Sequence, residues 1–220
     1  AIQSFAHEMA EAAGRDHRDY VLDQLGSDRE VHNLTVGDHW KHGEDPDMYP
    51  IDVGRMRRVI EAATAEAGWG RETGSGRGLG LAFHHSFVSY TAVVFDVEVD
   101  DQGELTIHRA DIAFDCGPQA NPERIRSQME GSIVMGIGIA LQNEVTFRNG
   151  VAQQDNFDSY HLPRMANAPK VVRVHLINNP DDAMGGVGEP GLPPVAPALC
   201  NAIHAATGKR IRRLPVANQL

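Results

Sequence analysis

"LAFHHSFVSYTAVVFDVEVDDQGELTIHRADIAFDCG" occupies residues 81–117, and its reading decides the fold. β-branched and aromatic residues recur in alternation, the period-two pattern of strands. The turn signal DDQG at 100–103 joins two of these strands as a hairpin. His84 and His85 stand side by side in the pattern, so their side chains face opposite sides. Just upstream, GSGRGLG (74–80) reads as a plain linker. A phosphate loop would need Lys-Ser/Thr and a following helix, whereas here a strand follows.

Outward from this β region, helical periods take over. Ile2, Phe5, Met9 and Ala13 recur at helical spacing, and Gly14 can supply the left-handed stop. Asp16 is a candidate N-cap for a second helix that ends at Gly26. Residues 52–70 form a third, with Val53, Met56, Val59, Ile60, Ala63 and Ala67 on one face. Between the last two lies a polar loop, 27–50, rich in His, Asp and Gly. It holds His32, His39 and His42, but the carboxylates around them follow no ligand motif.

On the C-terminal side, Asn121 as N-cap and Pro122 at the first helical position open a long helix through 121–145. From Ile133 to Leu141 it is apolar all round, which predicts burial, and Gly136 and Gly138 allow close backbone approach. Strands are expected at 143–148 and 171–177, with a hairpin at RNGV (148–151), and a final helix at 197–208. The sum is an α+β chain, a mixed sheet with packed helices. It divides into an N-terminal helical segment, 1–70, with its long polar loop, and an α+β region, 71–220.

The chain has 220 residues and a formal net charge of −10, which excludes a nucleic-acid backbone as partner. The one basic cluster, GKRIRRLP (208–215), reads as a solvated helix end. No apolar run reaches the roughly 18 residues of a membrane span. Cys116 and Cys200 show no metal-ligand spacing and are expected to be buried free thiols. The start at Ala1, inside a helical pattern, is read as processing or as one piece of a longer protein.

The chemistry concentrates in GGVGEPGLPPVAP (185–197), where prolines and glycines surround one carboxylate, Glu189. Prolines fix φ, and glycines let a ligand approach the backbone. A carboxylate short of solvent in such a loop suits general-base work. Composition alone leaves Glu189 open between that role and a helix cap or arginine partner, and leans to the latter. Gln128 is similarly open: a buried glutamine bonds backbone within the fold or reads a polar ligand, and the first is favoured. No Ser-His-Asp grouping or G-x-S-x-G elbow is present, and Cys116 reads as packing rather than as a nucleophile.

Together, DCGPQANPERIRSQMEGSIVMGIGIAL (115–141) and GGVGEPGLPPVAPALCNAIHAATGKRIRRLPV (185–216) resemble the xanthine dehydrogenase and aldehyde oxidase family of molybdenum hydroxylases. The likeness is nearest to the large subunit of bacterial isoquinoline 1-oxidoreductase-type enzymes. The stretches at 1–22, 76–92 and 155–165 fit the same subgroup. The resemblance implies that Glu189 is the catalytic glutamate, which takes the proton of a molybdenum-bound hydroxyl that attacks an electron-poor carbon. It implies that Gln128, in the Q-x-E-G motif, binds the pterin cofactor, and that the backbone of Gly186, Val187 and Gly188 lines the metal's surroundings. It implies further that no protein side chain ligates the metal, which would be held through molybdopterin, in its cytosine dinucleotide form in the complete enzyme.

The family's large subunit is several times longer, and its G-x-G-Q-G-type cofactor loops find no match in this chain. Nor are there cysteines enough for iron–sulfur clusters, which the resemblance places on a small partner subunit. The chain is therefore expected to be the C-terminal portion of a molybdopterin-binding subunit, inactive alone. Its partners would be the remaining N-terminal part, the iron–sulfur subunit and a small N-heteroaromatic or aldehyde substrate. Two other readings compete: a catalytically silent interaction fragment of the same fold, and a metal-binding protein using the histidines of 27–50.

Overall fold

The computed structural model describes residues 1–32 and 48–220. Along the chain come α1 (Ile2–Ala12), α2 (His17–Leu25), β1 (Glu30–Val31), β2 (Ile51–Asp52) and α3 (Val53–Ala67). They are followed by β3 (Arg77–Ser86), β4 (Ser89–Val99), β5 (Leu105–Asp115), α4 (Pro122–Leu141), β6 (Phe147–Arg148), β7 (Val151–Ala152), β8 (Val171–Ile177) and α5 (Val195–Thr207). The central sheet has the order β3-β4-β5-β8. Its first three strands are antiparallel, and β8 runs parallel to β5. A parallel neighbour requires a crossover, and α4 lies within it. This is the expected α+β class with a mixed sheet.

The alternation in 81–117 sorts side chains between two cores rather than between core and water. On one face Val93, Phe95, Ile112 and Phe114 pack with Met129, Ile133 and Ile137 of α4 and Leu199 and Ile203 of α5. On the other, Leu81, Tyr90, Val94 and Ala113 pack with Val21, Val59, Ile60 and Ala63 of α2 and α3. The DDQG turn closes the β4–β5 hairpin with Gly103 at φ 83°. The β3–β4 reversal is made by Phe87 and Val88, at φ 53° and 63°, without a glycine.

Caps fall where the sequence places them. Asp16 accepts the Asp19 N–H at 3.1 Å, and Asn121 accepts that of Arg124 at 3.1 Å. Cys116 and Cys200 are buried and free, and burial pushes the Cys200 thiol up to about 11. The cluster at 208–215 faces α1: Arg210 and Arg212 pair with Glu11 and Glu8 at 2.5 and 2.8 Å.

Other expectations are corrected. The linker expected at 74–80 ends at Gly76, because β3 begins at Arg77 and α5 crosses it at Gly78 and Gly80. A Cβ at Gly78 would lie 2.5 Å from the Ala206 nitrogen, and one at Gly80 would drive into the Ala202 and Ala198 backbone. The apolar face of α1 is turned outward, with Ile2, Phe5 and Met9 exposed and only Ala10 buried. This helix docks through its charged positions instead. Nor is α4 buried all round: Val134, Met135 and Ile139 are exposed, while Gly136 meets Val195 and Gly138 meets Pro163.

The strand expected at 143–148 shortens to β6, which pairs only with β7 across Asn149 and Gly150, both at positive φ. Of the 27–50 histidines, His39 and His42 lie outside the described residues, and His32 faces Glu30 at 3.1 Å. Among the described residues no group of His, Cys, Asp or Glu could hold a metal ion.

Candidate active site

The loop 185–194 runs from the sheet to the start of α5 and is fixed at both ends. At its beginning the Gly185 N–H donates to the Cys116 carbonyl at 2.9 Å, and the Gly186 N–H to the Phe87 carbonyl at 2.7 Å. The Ser89 hydroxyl returns a bond to the Gly186 carbonyl at 2.6 Å. The β3–β4 turn is so close that a Cβ at Gly186 would stand 2.9 Å from the Phe87 Cβ, and one at Gly185 2.8 Å from the Val88 carbonyl group. At its end Pro190 and Gly191 are buried against α4, where a Cβ on Gly191 would meet the Ser132 Oγ at 2.5 Å. The Leu192 N–H closes a turn on the Glu189 carbonyl at 2.9 Å.

Between these anchors the Gln128 Nε2 donates to the Gly188 carbonyl at 2.7 Å. Helix α4, started by its Asn121–Pro122 cap, thus delivers the glutamine of Q-x-E-G directly to the glycine–glutamate loop. All five residues singled out from the sequence, Gln128, Gly186, Val187, Gly188 and Glu189, come together at this one place. Gln128 is exposed rather than buried, and its backbone partner belongs to the loop itself.

Glu189 is also exposed, so the expectation of a carboxylate short of solvent does not hold in this chain. Its carboxylate caps no helix and meets no arginine among the described residues, which removes both of the structural roles that composition favoured. The backbone N–H groups of Val187, Gly188 and Glu189 likewise have no backbone partner among the described residues. A cavity of about 550 Å³ opens beside them, lined in part by Cys116, Arg124, Gln128, Met184, Val187 and Gly188. Burial, and secondarily the Asp115 carboxylate, raise the Cys116 pKa and keep the thiol in that wall neutral.

Gly188 carries a further signal. No atom lies within 4 Å of the Cβ it lacks, and its φ is not in the positive range. The fold therefore does not demand glycine here, whereas a ligand pressing on the backbone does. Free amide N–H groups, a glutamine side-chain amide and an unencumbered glycine form a donor set suited to a polar, anionic group such as a pterin cofactor.

Sequence reading missed what lies behind the loop. Arg55, a charge on the buried face of α3, is 3% exposed and holds the Asp115 carboxylate through Nη2 at 2.7 Å and Nε at 3.2 Å. The signal was an arginine in register with Val59, one turn along an apolar helix face.

The site is thus a glycine–glutamate loop tied to a glutamine on a core-packed helix of an α+β fold. The chain belongs to the family of the molybdopterin cofactor-binding domain, whose model matches residues 33–169. It is 35% identical over 166 residues to the beta subunit of isoquinoline 1-oxidoreductase from Brevundimonas diminuta, covering 74% of this chain and 21% of that one. Over 223 residues it is 28% identical to a nicotinate dehydrogenase subunit of Pseudomonas putida, covering 98% of this chain and 17% of the relative.

Among solved structures, quinoline 2-oxidoreductase of Pseudomonas putida 86 superposes with a TM-score of 0.55 at 21% identity, over 60% of this chain and 18% of that one. Aldehyde oxidoreductase of Desulfovibrio gigas does so with a TM-score of 0.52 at 28% identity, over 60% of this chain and 15% of that one. The chain therefore spans about a fifth of the length of the curated relatives it matches. No helix among the described residues is long and apolar enough to cross a membrane.

Proposed function

We propose that this chain is the C-terminal part of the cofactor-binding subunit of a molybdenum hydroxylase. The substrate is an N-heteroaromatic or an aldehyde, water is the oxygen source, and electrons leave to an iron–sulfur partner subunit. The names of the relatives support the substrate class. When bound, a molybdopterin centre, in its cytosine dinucleotide form, supplies the oxygen-transfer and two-electron chemistry.

The chain's own residues contribute position and a proton acceptor. Gln128 holds the Gly188 carbonyl at 2.7 Å and keeps its Oε1 for the cofactor. The amide N–H groups of Val187 and Gly188, without a backbone partner among the described residues, are available as donors. Glu189 stands on a backbone fixed on both sides, by the Gly186 bonds and by the buried Pro190–Gly191 pair, so the point from which its carboxylate reaches out as proton acceptor is set. The observation that carries the reading is the bond from Gln128 to Gly188, which unites the two motifs beside the cavity.

The chain provides only part of the site's walls. The exposed apolar face of α4, with Met135 59% exposed, fits cover by the remaining N-terminal part of the cofactor-binding polypeptide. In the complete enzyme, Glu189→Gln should lower turnover by a factor of about a thousand or more while the molybdenum content stays at the wild-type level. Near-normal turnover in that variant would refute the assignment and favour a silent interaction fragment.

A further inference from the structure

We propose that Arg55, assisted by Arg58 one turn along α3, is a positioning residue that sets the place of the 185–189 loop. The proposal rests on the reading of that loop as the active site, but the clamp itself is testable without it.

The Arg55 guanidinium bridges two distant stretches of chain. On one side it grips the end of β5: Nη2 lies 2.7 Å from Asp115 Oδ1 and Nε 3.2 Å from Oδ2, with the side chains 4% and 0% exposed. On the other side it reaches the run-in to the loop, with Nη1 3.4 Å from the Ala183 carbonyl and Nε 3.4 Å from Asp182 Oδ2. Arg58 adds a second cation, 3.1 Å from Asp182 Oδ2 and 3.7 Å from Asp115 Oδ2. Two arginines thus hold two carboxylates, one from each stretch.

The surroundings fix the fork. Its Cζ sits 4.7 Å from the centre of the Tyr90 ring, and the Tyr90 hydroxyl accepts the Asp52 N–H at 2.7 Å at the N-cap of α3. Asp115 Oδ1 also takes the Gly117 N–H at 2.9 Å. Gly117, at φ 69°, lies so close to the second stretch that a Cβ would stand 2.5 Å from the Ala183 oxygen. Two residues beyond Ala183, the Gly185 N–H binds the Cys116 carbonyl, and the loop begins. The planar guanidinium therefore aligns Asp115–Gly117 with Asp182–Gly185, and through them the donors at 187–188 with Gln128. A lysine offers one point charge and cannot span both stretches.

Amide hydrogen exchange on the 220-residue chain, resolved by peptide, tests this. Arg55→Lys should exchange the Gly185 and Gly186 amides, the two in this stretch that donate to backbone carbonyls, about tenfold faster or more, while the β4 and β5 amides stay within about twofold of wild type. Arg55→Met, which leaves the Asp115 charge with Arg58 alone, should lower global stability further. Lysine should rescue that stability without rescuing loop protection, a split that a purely structural cation would not produce. Asp182→Asn removes only the loop-side partner, 27% exposed, and should reproduce the loosened loop even where Arg55→Met fails to fold. Unchanged exchange at Gly185 and Gly186 in Arg55→Lys and Asp182→Asn, or an equal rise in β4 and β5, overturns the proposal. No cofactor is present in the measurement, so a negative result here leaves the Glu189→Gln test untouched, and the reverse also holds.

Discussion

Lowering the pH from about 7 to about 5 is expected to destabilise the fold through His17, and the structure gives both the sign and the size. His17 opens α2 with its side chain 4% exposed, and neither ring nitrogen has a hydrogen-bond partner. The ring of His7 lies 4.6 Å away, and the Arg210 guanidinium binds the Nδ1 of His7 at 3.0 Å. A second positive charge in this place would be poorly tolerated. Burial first, and then the charge of His7, push the His17 pKa from 6.5 down to about 3.

Between those two values the unfolded chain holds more protons at this site than the native one, so stability rises with pH across the window. The contribution is complete above the unfolded value and is lost as the pH falls toward the native one. Each pH unit inside the window is worth about 1.4 kcal/mol, so the step to pH 5 removes about 2 kcal/mol through His17 alone. His85, pushed down to about 4 by burial, acts in the same direction, and the lowered pKa values of His7 and His84 add to it.

Comparison with His17→Leu isolates the one group, since an apolar side chain of similar volume fills the site without titrating. Urea unfolding of both proteins at the two pH values gives the four free energies needed. The loss on acidification should be smaller in the variant by about 2 kcal/mol. An equal loss in the two proteins, within about 0.5 kcal/mol, refutes the argument.

Two glycine substitutions separate packing from ligand contact. Gly80→Ala places a methyl group inside the α5 backbone at Ala202; thermal unfolding should show a loss of about 3 kcal/mol or more, or no folded protein, because neither backbone can retreat. Gly188→Ala meets nothing within 4 Å, so stability should change by less than about 0.5 kcal/mol. Its effect should fall on the complete enzyme, as a lower content of pterin and molybdenum in the purified protein. A strong loss of stability in the isolated chain would show instead that the fold itself requires that glycine.

Local rules carried the reading a long way and failed where distant segments meet. The alternation of 81–117, the caps at Asp16 and Asn121 and strand 171–177 are properties of short windows, and the structure holds them in place. The glycines at 78 and 80 looked like a linker because the reason for them, the crossing of α5, lies more than a hundred residues away. The outer faces of α1 and α4 broke the rule that an apolar helix face is buried. The rule holds only when every partner of that face is at hand, and Val134, Met135 and Ile139 stay exposed among the described residues. The site was legible as two motifs, Gln128 and the 185–189 loop. Arg55 was not, since a charge on an apolar helix face signals a partner without naming it.

The exposure of Glu189 separates what the described residues supply to the proposed base from what they do not. The backbone position is supplied here. The bonds at Gly185 and Gly186 and the buried Pro190–Gly191 pair hold the backbone on both sides of the carboxylate. Exclusion of water is not, because no described residue covers the side chain. A carboxylate becomes a stronger base when its surrounding water is displaced by apolar surface, so on the function proposed above a covering group would set the basicity of Glu189. The exposed apolar face of α4 lies on the same helix that brings Gln128 to the loop. A partner that buries this face can dry the loop in the same step. On the function proposed above, assembly would then raise the basicity of Glu189 at the moment the site is completed.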